Sequence, residues 1–114
     1  MLYFLNSPVL TGWGGYKFQP ISLRGVRKLL ADNPDFISAV GHESTAEILT
    51  TLLGITVPMN RTAIKMQVRD RAIVFRLKAR PAEGKILNIS EIEQIGYEFG
   101  LLTMRKPYCL EVRL

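Results

Sequence analysis

Residues 41–54, "GHESTAEILTTLLG", carry the strongest local instruction in the chain. Ser44 and Glu47 stand at the spacing of a capping box, with Ser44 as the N-cap of a helix. Ile48, Leu49, Leu52 and Leu53 recur at helical spacing and form one apolar stripe. Gly54 ends the helix, because the left-handed backbone that closes many helices is least strained in glycine. A helix with one apolar stripe must lay it on another apolar surface. The rest of the sequence supplies that surface as short strands.

Tyr3 to Leu5 is apolar and stops at Asn6-Ser7-Pro8, which predicts a first strand running into a loop. "TGWGGYKF" is expected to be a Gly-rich turn region. Its glycines lack phosphate-loop spacing. Ser22 caps a helix to about Ala31, and "DNP" stops it. Phe36 to Val40 is a short buried strand. After Pro58, Ile64, Met66 and Val68 alternate with Lys65 and Gln67. Beyond Arg69-Asp70-Arg71, Ile73, Phe75, Leu77 and Ala79 alternate with Arg76, Lys78 and Arg80. That pattern predicts a hairpin whose second strand shows three cations on one face. "RPAEGK" is a loop. Ser90 and Glu93 predict a second capping box and a short helix to about Ile95. "LLTM" and "YCLEV" are candidate final strands. The expectation is an α/β chain: one small domain over residues 1–114, with a mixed sheet flanked by short helices.

A chain of 114 residues builds one core and not two. No apolar run is long enough to span a bilayer, and "MLYFLNSPVL" lacks the basic start of a signal peptide. With Cys109 as the single cysteine, no internal disulfide framework is available, which points to the cytoplasm. The net charge of +5 sits in one place. Between Arg61 and Lys85 there are eight Lys and Arg, against Asp70 and Glu83 alone. Such a segment either is a solvated basic face or receives an anionic partner such as a phosphodiester.

His42 is the chain's one histidine, just ahead of the predicted helix start. A helix N-terminus presents unpaired N–H groups and a partial positive charge, both of which suit a phosphate. Ser44 and Thr45 add hydroxyls there. A histidine beside such a phosphate can give a proton to a departing alkoxide near neutral pH. A lone histidine in a Gly-containing turn is more often structural. One His, one Cys and three scattered Asp residues (Asp32, Asp35, Asp70) give no zinc spacing. No metal site or cofactor is therefore expected. Arg80 and Glu83 are either a phosphate-holding pair or an ordinary surface pair in a turn.

"GHEST" opening a leucine-rich helix, then "LLGITVPMNR", "VFRL" and "RPAEGKIL", resemble the small anti-CRISPR ring nucleases of archaeal and bacterial viruses and their cellular relatives. Those proteins destroy cyclic tetra-adenylate, the second messenger of type III CRISPR defence. The similarity is firmest over residues 38–93 and extends to the first strand through "YFLNSP". The resemblance implies that His42 is the general acid. It implies that Arg80 and Glu83 serve catalysis and close over the ligand. Ser44, Thr45, Arg61 and Asn6 match positions that contact the ligand or line its pocket. Some members have further polar residues after that asparagine, where this chain has Pro8, Val9 and Leu10. Nothing is carried over from that loop or from beyond Gly100.

The family fold is an α/β domain that dimerises, with the ligand between subunits. Two His42 side chains in a two-fold dimer would then meet two opposite phosphodiesters of the ring. The basic segment, Arg76 included, would face its four negative charges. The implied reaction is metal-independent attack by a ribose 2′-hydroxyl, giving linear di-adenylate with a 2′,3′-cyclic phosphate. The partners expected are cyclic tetra-adenylate and a second copy of the chain, with no membrane and no duplex nucleic acid. The competing readings are a cyclic-oligonucleotide sponge or sensor without catalysis, and a small DNA-binding regulator using the basic hairpin. No helix rich in Arg, Asn or Gln favours the regulator.

Overall fold

The strand that organises the fold is the run "LYFL", β1 (Leu2–Leu5), whose Leu2, Phe4 and Leu5 are buried. A strand apolar on successive residues belongs where both faces of a sheet are covered. The computed structural model describes residues 1–6, 13–78 and 88–107, and it puts β1 inside a five-stranded mixed sheet. The other strands are β2 (Gly14–Ile21), β3 (Ile37–Ser38), β4 (Arg71–Leu77) and β5 (Tyr97–Pro107). Their spatial order is β2-β5-β4-β1-β3. β1 pairs in parallel with both β3 and β4, while β5 runs antiparallel to β4 and β2.

Parallel neighbours need a crossover, and a helix provides it. The helices are α1 (Leu23–Asp32), α2 (Glu43–Leu53) and α3 (Ile89–Ile95). All three pack on one face of the sheet. There Val26 and Leu30 of α1, Leu49 and Leu52 of α2 and Ile92 of α3 meet Leu2, Phe4, Ile73, Phe75 and Phe99. Phe99 lies edge-on to Phe4, with ring centroids 6.4 Å apart, and tilted against Phe75 at 5.3 Å. The opposite face carries Leu5, Ala39, Ala72, Val74, Leu102 and Met104, and Ile64 and Met66 pack onto it.

Ser22 caps α1 as the sequence predicts, accepting the Gly25 N–H at 3.0 Å. Four expectations are corrected. The hairpin does not form: residues 56–67 contain no strand, and both edges of β4 are already taken by β1 and β5. The apolar alternation in Ile64 and Met66 reflects contact with the second sheet face, not pairing within a sheet. The region read as a Gly-rich turn contributes Gly14–Phe18 to β2, with a register shift between Gly15 and Tyr16. As an edge strand β2 is mostly exposed, so it shows no inside–outside alternation to read. In α2 the N-cap is His42 and not Ser44. In α3 the capping box is Asn88 with Glu91, not Ser90 with Glu93. Asn and Ser cap about equally well, and at Asn88 the box is closed by Glu91, whose carboxylate accepts the Asn88 N–H. Of the final strands, "LLTM" lies within β5, and "YCLEV" falls outside the described residues.

Gly54 closes α2 at φ 69°, and a Cβ built there would meet nothing within 4 Å. The cost of Gly54→Ala is therefore conformational alone, about 1–2 kcal/mol. Leu49→Ala, at a fully buried position, should cost about 2–5 kcal/mol. Urea unfolding of both variants checks the order. A Gly54→Ala protein as stable as the parent would contradict the left-handed cap.

Candidate functional site

The C-terminal ends of parallel strands are where open α/β sheets gather ligands. Asn6 directly follows β1, and Gly41 and His42 follow β3 at the entrance to α2. His42 has extended backbone geometry (φ −123°, ψ 128°), and its carbonyl accepts the Ala46 N–H at 3.1 Å. Its side chain makes no capping hydrogen bond and is exposed. The first turn of α2 therefore has N–H groups that its cap residue leaves open. Ser44, exposed, and Thr45, half-buried, belong to that turn.

What fixes this turn comes from the segment after α2. Thr50 of α2 and Val57 share two contacts: the Val57 N–H donates to Thr50 Oγ1 at 3.0 Å, and that hydroxyl donates to the Val57 carbonyl at 3.3 Å. The chain then runs beside residues 38–41. Ser38 Oγ donates to the Pro58 carbonyl at 2.6 Å and accepts the Val40 N–H at 3.3 Å. Asn60 binds two carbonyls, donating from Nδ2 to Ser38 O at 2.7 Å and from its backbone to Val40 O at 2.8 Å. Arg61 takes the next carbonyl, donating to Gly41 O from Nη2 at 3.1 Å and Nε at 3.3 Å. Three carbonyls in the run leading to His42 are thus held by two adjacent residues.

Of the site residues expected from the sequence, the structure joins His42, Ser44, Thr45 and Arg61 in one neighbourhood, with Asn6 at the C-terminal end of the adjacent parallel strand β1. Two of the five guanidinium N–H groups of Arg61 are occupied by Gly41, leaving three for a ligand. Arg76 stands apart, two strands from the β3 turn. It lies opposite Glu98 of β5 and pairs with that carboxylate at 2.7 Å, both side chains being exposed. Arg80 and Glu83 lie outside the described residues. Among the described residues, no three His, Cys, Asp or Glu side chains gather as metal ligands. Sequence reasoning missed Ser38 and Asn60. The available signal was Ser38 itself, a hydroxyl inside the apolar run "FISAV" and the one buried polar side chain among the described residues.

Residues 2–99 match the sequence model of the family described as STIV B116-like. The chain belongs to that family. It is similar to "Uncharacterized protein 26" of Sulfolobus islandicus filamentous virus (isolate Iceland/Hveragerdi), at 40% identity over 89% of each chain. It is also similar to "Uncharacterized protein YddF" of Bacillus subtilis (strain 168), at 39% identity over 88% of this chain and 94% of that one. Among solved structures, B116 of Sulfolobus turreted icosahedral virus superposes with a TM-score of 0.77 at 24% identity. That alignment covers 90% of this chain and 97% of the other, and it establishes a shared fold. The matched span of this B116-like chain takes in the whole His42 neighbourhood. No described helix is long and apolar enough to cross a membrane.

The exposed Arg76–Glu98 pair should contribute little to folding. Glu98→Ala is expected to change stability by less than about 1 kcal/mol. A urea-measured loss well above that would show that the pair is part of the fold's support.

Proposed function

We propose that this protein is a ring nuclease: a metal-independent enzyme that opens cyclic tetra-adenylate and so switches off type III CRISPR signalling. The observation that carries the reading is His42. It is exposed at the cap of α2, beside N–H groups its side chain does not use, on a turn held by Asn60 and Arg61. A phosphodiester drawn to those N–H groups lies beside an imidazole able to donate a proton.

In this mechanism a ribose 2′-oxygen attacks the neighbouring phosphorus, and the P–O5′ bond breaks on the opposite side. His42 gives its proton to the departing 5′-oxygen. The 2′-hydroxyl proton passes to Glu83 or to water. Arg61, Arg80 and the N–H groups of the α2 start balance the charge that builds on phosphorus-bound oxygen. Alignment of the 2′-oxygen, phosphorus and 5′-oxygen supplies much of the rate. The enzyme acts as a two-fold dimer with the ring between subunits, so that two His42 residues open two opposite bonds. The products are two linear di-adenylates ending in 2′,3′-cyclic phosphates.

Incubating the protein with cyclic tetra-adenylate in excess EDTA, and resolving the products by mass, tests the reading directly. Linear di-adenylate carrying a cyclic phosphate is expected. Tight binding with an intact ring would make the protein a sponge, and restoration of cleavage by a divalent ion would replace the mechanism.

His42→Ala should slow single-turnover cleavage by about a hundredfold or more while affinity stays within a fewfold of the parent. A folded variant cleaving at the parental rate would assign the proton donor elsewhere.

A further inference from the structure

A proton donor is useful only if the turn that carries it is fixed. β3 is two residues long, so the sheet stops holding the chain at Ser38, four residues before His42. Past Ser38, the β1 side offers one bond, from the Ala39 N–H to the Phe4 carbonyl at 2.8 Å. The remaining hold comes from the other side, where Asn60 spans Ser38 O and Val40 O and Arg61 takes Gly41 O. Asn60 is well suited to this. Its backbone donor and its carboxamide donor serve two carbonyls two residues apart, as a neighbouring strand would. Its side chain is otherwise exposed, with no part in either apolar cluster. The Ser38 hydroxyl completes the arrangement by fixing Pro58, two residues before Asn60.

We propose that Asn60, supported by Ser38, is a positioning residue for His42: its carboxamide ties the Ser38 carbonyl, at the base of the turn over residues 38–41, so that the imidazole meets the phosphodiester in line. The assignment rests on the ring-nuclease reading above. Asn60 touches no reacting atom, and its effect passes entirely through His42. Removing the carboxamide frees the Ser38 carbonyl, and the turn loses the tie farthest from α2. A displacement of about 1 Å in a catalytic group is enough to cost on the order of a hundredfold in rate.

The experiment uses the full-length chain and three variants, Asn60→Ala, Asn60→Asp and Ser38→Ala, with folding followed by circular dichroism. Asn60→Asp keeps the size but sets a carboxylate against the Ser38 carbonyl in place of a donor. Single-turnover cleavage of cyclic tetra-adenylate should fall by about ten- to a hundredfold in both Asn60 variants, with affinity within about threefold. Ser38→Ala should act in the same direction, and it carries the test if an Asn60 variant does not fold. A second measurement does not depend on activity. His42 is the chain's one histidine, so its imidazole ring protons give a single pair of proton-NMR signals. Those signals should shift or broaden in the Asn60 variants. In a His42→Ala background, Asn60→Ala should slow cleavage no further, because positioning without a donor has no effect to lose.

Parental cleavage combined with full additivity of the two substitutions, or with unchanged imidazole signals, would overturn the positioning role and leave the ring-nuclease reading standing. A parental protein that leaves the ring intact would overturn both.

Discussion

Everything in this molecule is referred to β1. All four of its residues pair in parallel with β4, Tyr3 and Phe4 pair with β3 as well, and both faces have apolar cover, so Leu2, Phe4 and Leu5 are buried. Parallel pairing of β3 and β4 to the same strand forces the chain to cross over between them, and α2 is that crossing. Once α2 must start at the end of β3 and lie on the helix-bearing face, the position of His42 follows. The site is thus a by-product of how the sheet is wired, with side chains added at the one place where strand ends and a helix start coincide.

The helices were legible because their codes are local. Ser22 and Gly54 do what their residue types favour, and the stripe Ile48, Leu49, Leu52 and Leu53 is buried as its spacing requires. The start of α2 was less legible. Ser44 and Glu47 have the right spacing for a capping box, yet the helix begins two residues earlier. A tertiary tether competes there with the local signal: Asn60 and Arg61 hold the chain through Gly41, and helical geometry begins as soon as that hold ends. The hairpin failed for a related reason. Ile64 and Met66 alternate with polar residues as a strand would, but period two only reports that one side faces apolar matter. In this chain that side faces the second sheet surface.

For the site, sequence and structure divide the information. Residue types and the family resemblance pointed to His42, Ser44, Thr45, Arg61 and Asn6, and the structure places the first four about the start of α2, with Asn6 at the end of the neighbouring strand β1. The carbonyl ladder that secures the turn was not legible, since a hydrogen bond from Asn60 to Ser38 spans 22 positions of sequence and has no period. Arg76 shows the opposite limit. Its charge was plain in the sequence, but its carboxylate partner across β5 is a fact of register.

The two margins of the sheet differ from its interior in a way that bears on assembly. On one side, β2 carries Pro20, which has no N–H, and an irregularity at Gly15. On the other, β3 is two residues long, and the carbonyl of Val40 just beyond it is already spoken for by Asn60. Among the described residues, one border is thus a two-residue strand and the other a strand whose register shifts near its start. Short border strands and breaks in register are among the devices by which sheets resist growing from molecule to molecule.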